Sequence, residues 1–321
     1  MPVQEHASCH GSFDNWLFLM QPDGGCSLMN PFSNATLRLP KLATVWRRDW
    51  FNANVGFNPL FYKLLVPSPL DLSPDSLVVV LISDDGNGCT VCICQPPIAT
   101  DLYKGRSGEL LDYLDEVEFF EGKLYGTAAD KLLILEIDDG TQNKPNISSV
   151  QCLIDSTDHF GSHPPHLSAE EGYMIRNYLV KCGGRLLMVE RWIRNIHRDR
   201  ATGHDDFEHH RTAGFLVFEA DLSTNPGRWK SISKLGGQAL FVGQHCSKSF
   251  PAGEWNGIQE DCIYFMCDYP LPDWGADPLR DSGVYNLTNG SIAPFLLETA
   301  AVPPHHGGQW RPTWFFPAEA V

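Results

Sequence analysis

Tyr178-Leu-Val-Lys-Cys-Gly-Gly-Arg-Leu-Leu-Met-Val189 reads as two β-strands joined by a glycine pair. β-formers stand on both sides of Gly183-Gly184, and a Gly-Gly step between such runs is a strong local hairpin signal. The same sentence recurs along the chain. Trp16-Leu-Phe-Leu-Met20 is followed by Pro-Asp-Gly-Gly and then Cys26-Ser-Leu-Met29. Leu77-Val-Val-Val-Leu-Ile82 is followed by Asp-Asp-Gly-Asn-Gly and Thr90-Val-Cys-Ile-Cys94, and Val117-Glu-Phe-Phe120 turns at Glu-Gly into Lys123-Leu-Tyr125. Cys262-Ile-Tyr-Phe-Met266 is a further strand. Helical periodicity is scarce; the best helical stretches are Ser107 to Leu114 and Gly56 to Leu64, both short.

One strand type repeats and often ends in Asp or Asn: Leu28-Met-Asn30, Val91-Cys-Ile-Cys94, Leu132-Leu-Ile-Leu-Glu-Ile-Asp138, Phe215-Leu-Val-Phe-Glu-Ala-Asp221 and Val284-Tyr-Asn-Leu287. Val217 lies 84 residues after Leu133, twice the 42 that separate Val91 from Leu133, and the other gaps run from 63 to 67. A period of about 40 to 50 residues is that of one four-stranded propeller blade. Such a sheet cannot bury both faces alone; stacking blades covers them and leaves only short edges. The expected fold is therefore all-β, a β-propeller with inserted loops and few short helices, in a single domain over residues 9–317. The alternative, a β-sandwich, is short for 321 residues. The segment Gln309-Trp-Arg-Pro-Thr-Trp-Phe-Phe-Pro317 is too aromatic for a free tail and is expected to dock back onto the body.

Composition bounds the partners. The formal net charge is −15, with 43% hydrophobic residues and nine Trp, and the 28 Gly and 23 Pro are spread along the chain. No basic run exceeds Arg47-Arg48, so neither a nucleic-acid backbone nor an anionic membrane surface is an expected partner. Met1-Pro-Val-Gln-Glu-His lacks a basic region followed by an apolar stretch, which points to an intracellular chain, cytoplasmic or nuclear. In that compartment the ten Cys are expected to be reduced. Cys92 and Cys94, two apart, share a strand face. The sequons at Asn34, Asn146, Asn286 and Asn289 read as chance matches.

No arrangement of residues announces chemistry. There is no G-x-S-x-G elbow and no phosphate-binding glycine loop; Gly236-Gly237 reads as a turn or bulge between strands. His245-Cys246, if on a strand, would point to opposite faces. Asp84-Asp85 and Asp138-Asp139 read as hairpin-turn residues. His159, His163 and His166 are interrupted by Pro164-Pro165, which breaks any helix that could align them. No cofactor, no metal and no catalytic residue is expected. The segment 194–212 carries charges of both signs and four His, and binding residues concentrate on loops held by rigid scaffolds. Arg194, His197, Arg198, Arg200, His204, Asp205, Phe207 and His209 are the candidate protein-contact residues.

Several motifs in order carry a family resemblance. They are Cys9-His-Gly-Ser-Phe-Asp-Asn-Trp-Leu17, Asn30-Pro-Phe-Ser33 with Leu37-Arg-Leu-Pro40, Tyr178-Leu-Val with Arg185-Leu-Leu-Met-Val, and Phe218-Glu-Ala-Asp221 with Trp229. Most specific is Leu235-Gly-Gly-Gln-Ala-Leu-Phe-Val-Gly243 with Ser247-Lys-Ser-Phe250, followed by Asp261-Cys-Ile-Tyr-Phe265 and Gly283-Val-Tyr-Asn-Leu287. Together they resemble the plant KIB-type propellers found behind F-box modules. The resemblance implies a kelch-like β-propeller and a non-enzymatic, protein-binding role. In relatives with an F-box, that module joins a ubiquitin ligase and the propeller captures the client. Here the opening motif begins at Cys9, which leaves no room for a preceding F-box and leaves binding to the ligase adaptor without its usual element. A truncated gene model, a stand-alone adaptor and a competitor for clients are the alternatives this leaves open, the client itself being unidentified. The other reading is a propeller hydrolase with a central acidic or metal site.

Overall fold

A computed structural model describes residues 7–21, 25–40, 61–66, 77–83, 89–94, 103–104, 114–138, 145–155, 164, 167, 172–194, 211–253, 257–268, 281–294 and 313–316. Among these residues twenty-one strands form five sheets in chain order. The first holds β1 (Ser8–Phe13), β2 (Trp16–Met20), β3 (Cys26–Met29) and β4 (Thr36–Leu39). The second holds β5 (Phe61–Leu65), β6 (Val78–Ser83), β7 (Cys89–Cys94) and β8 (Tyr103–Lys104). The third holds β9 (Glu116–Phe120), β10 (Lys123–Ala128), β11 (Lys131–Asp138) and β12 (Asn146–Ile154). The fourth holds β13 (Tyr173–Cys182), β14 (Arg185–Arg194), β15 (Arg211–Asp221) and β16 (Arg228–Ile232). The fifth holds β17 (Gln238–Val242), β18 (Lys248–Pro251), β19 (Cys262–Phe265), β20 (Gly283–Asn286) and β21 (Ile292–Pro294).

The first four sheets are up-and-down meanders. The fifth runs β18-β17-β19-β20-β21, with β17 and β19 parallel. It thus departs from the expected four strands, because the β17–β18 hairpin is followed by a strand that pairs on the other side of β17. Among the described residues there is no helix. The helical reading of Gly56 to Leu64 is wrong where it can be compared: Phe61–Leu65 is strand β5, with Leu64 opposite Val80 in the ladder with β6. Pairing with a neighbouring strand overrides a period read over two turns of chain. Of Ser107 to Leu114, only Leu114 lies within the described residues.

The five repeating marker strands fall one to a sheet. They are β3, β7, β11, β15 and β20, each the penultimate strand of its sheet. Their terminal Asp or Asn has a physical reason. Asn30 Oδ1 accepts the N–H groups of Phe32 and Ser33 at 2.9 and 3.1 Å, while Asn30 N–H donates to the Ala35 carbonyl. Asn286 Oδ1 accepts those of Thr288 and Asn289 at the same two distances, and Asn286 N–H donates to the Ser291 carbonyl. Asp221 Oδ1 accepts the Ser223 N–H at 3.1 Å. Each side chain closes the turn into the last strand of its sheet, which is what short polar side chains do best at turns.

The chain divides into two compact units. One comprises Met1–Leu153, Gln244–Cys246 and Thr313–Val321. Its core has two layers, and β6 separates them. Val78, Val80 and Ile82 pack with Trp16, Phe18, Leu28, Leu37, Cys92 and Cys94. Val79 and Leu81 point the other way, onto Val117, Phe119, Leu124, Leu133 and Leu135. A strand buried on both faces explains the unbroken apolar run at 77–82. The described part of the aromatic C-terminal segment, residues 313–316, docks onto this unit as expected. Ser12 Oγ on β1 donates to the Trp314 carbonyl, Trp314 and Phe316 are buried, and Phe315 stacks on Phe32 at 6.0 Å. Lys63 on β5 donates to Glu116 on β9, with both side chains buried and Glu118 close by.

The other unit comprises Ile154–Gly243 and Ser247–Pro312. Tyr178, Val180, Val189, Phe215 and Val217 of the fourth sheet pack against Leu240, Val242, Ile263, Phe265 and Tyr285 of the fifth. The deciding hairpin is as read: Gly183 and Gly184 have φ of 54° and 77°, the left-handed pair that a two-residue turn matched to strand twist requires. Gly236 and Gly237 (φ 72° and 74°) make the turn into β17. Arg185 Nη2 donates to the Leu235 carbonyl at 2.5 Å, and Asp261 accepts the Leu235 N–H. His245 and Cys246 are not on a strand but in the bend between β17 and β18, so alternation along a strand does not apply to them.

Candidate interaction site at one end of the fourth sheet

The fourth sheet outruns the others. β13, β14 and β15 are 10, 10 and 11 residues long, against four to six in the first sheet. At one end Tyr173, Arg194 and Arg211 form a row across the three strands, because Tyr173 pairs with Arg194 and Arg194 with Arg211. The next row is Ile175, Trp192 and Gly214. A register shift between Trp192 and Ile193 accommodates the extra residue Ala213, as a bulge does. Alternation therefore places Tyr173, Ile175, Trp192, Arg194 and Arg211 on one face. Tyr173 and Trp192 meet edge to face at 5.7 Å, and Trp192 Nε1 donates to Glu190 at 3.3 Å. Ile175 is 46% exposed.

The opposite face carries a buried ionic knot. Arg191 has no exposed surface. Its Nη1 donates to Asp268 Oδ1 at 3.0 Å and to the Met266 carbonyl at 2.8 Å; its Nη2 donates to Asp281 Oδ2 at 2.7 Å; its Nε donates to Thr212 Oγ1 at 2.8 Å. Thr212 in turn donates from Oγ1 and from its backbone N–H to the two Asp281 oxygens. Tyr178 OH donates to Asp268 Oδ2 at 2.9 Å, and the guanidinium lies 4.8 Å from the Phe265 ring centre. Burial alone would lower the Arg191 pKa, but the facing Tyr178, Asp281 and Asp268 groups more than reverse this and hold it above the ordinary arginine range. Burial, and then the Asp268 charge, push the Tyr178 hydroxyl well above its usual range. With each charge faced by its opposite and by hydrogen-bond partners, this cluster is built to fix structure. What it fixes is the end of the sheet. Arg191 lies three residues before Arg194, Thr212 follows Arg211, and Asp268 and Asp281 bound the connection from β19 to β20.

Of the residues singled out from sequence, Arg194 closes β14 at this end. His197, Arg198, Arg200, His204, Asp205, Phe207 and His209 lie outside the described residues, as do His159, His163 and His166. Sequence reading missed Arg191, Thr212, Asp268 and Asp281. The available signal was a lone Arg inside Leu186-Leu-Met-Val-Glu-Arg-Trp-Ile193, since a charge in so apolar a strand must be paired if it is buried. Among the described residues no group of three His, Cys, Asp or Glu is placed to hold a metal, and no helix is long and apolar enough to cross a membrane.

Comparison with known proteins decides the family. The model of the KIB1-4 β-propeller matches residues 1–286. The chain belongs to this family. The β-propeller class expected from the sequence stands, with five blade sheets among the described residues. The chain is also similar to an Arabidopsis thaliana protein described as an F-box protein, 27% identical over 125 residues. That match covers 39% of this chain and 31% of the other, so it spans about a third of the relative's length. The KIB-type, F-box-associated plant resemblance read from the motifs is thereby shown.

Proposed function

We propose that this KIB1-4 propeller is a non-enzymatic module that captures a protein client at the end of its fourth sheet, using the segment 194–212. The observation that carries this reading is the Arg191 knot. It holds both feet of the β14–β15 connection, Arg194 and Arg211, on a buried and fully paired base. A long polar segment rooted on a rigid scaffold is the usual design of a recognition loop. The family and the F-box description of the Arabidopsis relative support the same role. A catalytic reading has less support: the buried acids Glu116, Asp268 and Asp281 each face a buried cation or its partners, which suits a carboxylate held ionised rather than one poised for proton transfer.

The test is affinity purification of the tagged chain from plant cells, followed by rebinding of each co-purifying protein in pure form. A discrete client that rebinds directly supports the proposal. Recovery of a ligase adaptor and cullin with it would add ligase coupling, and recovery of nothing beyond an untagged control contradicts the proposal.

A further inference from the structure

We infer that two copies of this chain pair through β12, the strand that ends the third sheet, in an antiparallel contact centred on Val150. The inference is independent of the client site on the fourth sheet. An edge strand offers backbone donors and acceptors to any strand that can reach it, and proteins blunt such edges with short length, charge or proline. The last strands of the other four sheets are blunted in these ways. β4 has four residues, carries Arg38 and is followed by Pro40; β8 has two residues, one of them Lys104. β16 carries Arg228 and Lys230, and β21 has three residues and closes on Pro294. β12 has nine residues, none of them charged and none proline. It pairs with β11 on one side, and among the described residues no strand pairs with it on the other. Ser148, Ser149, Gln151 and Cys152 along it are exposed.

The occupant follows from the strand's own sequence. Ile147-Ser-Ser-Val-Gln-Cys-Leu153 has an aliphatic residue at each end and at its centre, with two small or polar residues in each gap. Antiparallel pairing of two copies about Val150 sets Ile147 opposite Leu153, Ser148 opposite Cys152, Ser149 opposite Gln151, and Val150 opposite its counterpart. Opposed residues lie on one face of a ladder, so aliphatic meets aliphatic and no like charges meet. Exposure has nearly the same symmetry: the four residues flanking Val150 are exposed, Val150 and Leu153 are half-buried and Ile147 is buried. Ile147 and Val150 pack on the layer of Val117, Leu133 and Leu135, which seats the strand in the first unit. A strand that matches itself in this way makes an isologous contact, which closes on two copies. Chains of net charge −15 repel one another, and an uncharged strand is where two of them can meet without placing like charges opposite each other.

The experiment is sedimentation of the full-length chain over a wide range of concentration, beside the Ser149→Lys/Gln151→Lys and Ser149→Glu/Gln151→Glu variants, alone and mixed. The parent should pass reversibly from the mass of one chain to that of two, because one strand pair buries less than the roughly 1,200 Å² at the low end of stable interfaces. Association should strengthen as salt is raised, since salt screens the repulsion between the copies. Either variant alone sets two like-charged pairs across the axis and should associate about tenfold more weakly. Mixing the two sets Lys opposite Glu and should restore the dimer. Melting curves matching the parent's show that the exposed substitutions leave the fold intact. A chain that is monomeric at every concentration overturns the inference, as does a dimer that both variants retain at full strength or a mixture that fails to recover it. Amides of β12 protected from hydrogen exchange in a monomer would assign the edge to the chain's own residues. Protection that appears only with a co-purified protein would assign it to a different chain. Both results also overturn self-pairing.

Discussion

Arg191 and Asp281, 90 residues apart in sequence, share a 2.7 Å hydrogen-bonded ion pair with both side chains buried. The pair ties β14 to the start of β20, and Thr212 and Asp268 complete it. Removing the guanidinium leaves two carboxylates without their cation in a site closed to water. Arg191→Met should therefore destabilise the protein by about 3–5 kcal/mol. Replacing the acids as well, with Asp268→Leu and Asp281→Asn, should recover part of that loss. Urea midpoints of the variants check this, and a single variant as stable as the parent would mean that the knot is not closed in solution.

Lys63 and Glu116 make the matching test in the other unit. Burial lowers the Lys63 pKa, but Glu116 and then Glu118 more than reverse this and raise it above the ordinary lysine value. Because the folded-state pKa lies above the unfolded one, the stabilisation is present at neutral pH and is lost only as alkali strips the lysine. Lys63→Met should cost about 3–5 kcal/mol, and Lys63→Met/Glu116→Leu less. Thermal melts of the two variants decide between an ionic bond that matters and one that is incidental.

The C-terminal segment should behave as part of the first unit. Trp314→Ala removes a buried indole and should cost about 3–5 kcal/mol. Ser12→Ala removes a buried donor to the Trp314 carbonyl, which also accepts from Thr313 Oγ1 at 3.5 Å, and should cost about 1 kcal/mol. Equal melting of the Trp314 variant and the parent would show that the segment does not dock.

Much of this fold was legible because turn chemistry and strand period are local. Gly183-Gly184 fixed a hairpin that needs left-handed backbone at both positions, and the recurring strand type, which often ends in Asp or Asn, falls once in each sheet as its penultimate strand. Strand β5 was missed because its identity comes from β6 beside it, not from its own five residues. The parallel β17–β19 pair was invisible for the same reason. At the site, Arg194 was found through charge density in the following segment. The residues that hold it, Arg191 with Asp268 and Asp281, were not, since their pairing spans up to 90 residues and leaves no local pattern.

Buried thiols set an alkaline limit. Burial, and then the neighbouring Cys92, push the Cys94 thiol from its ordinary 9.0 up to about 12. The folded state therefore keeps a proton that the unfolded chain releases above pH 9. Stability is fully present below that value and falls by about 1.4 kcal/mol per pH unit for this one group as pH rises towards 12. Urea titrations across that window should show a smaller pH dependence for Cys94→Ala than for the parent. Identical slopes would contradict a neutral thiol buried beside Cys92.

The most direct test of the interaction role uses the geometry of the β14–β15 hairpin. Arg194 and Arg211 are ladder partners, so residues 195–210 can be replaced by Asn-Gly, the turn that joins two paired strands without altering their register. Titration of the purified client against the parent and the shortened chain, alongside their melting curves, is the measurement. The account predicts unchanged melting and a loss of client binding. Undiminished binding by a shortened chain that melts like the parent would contradict it.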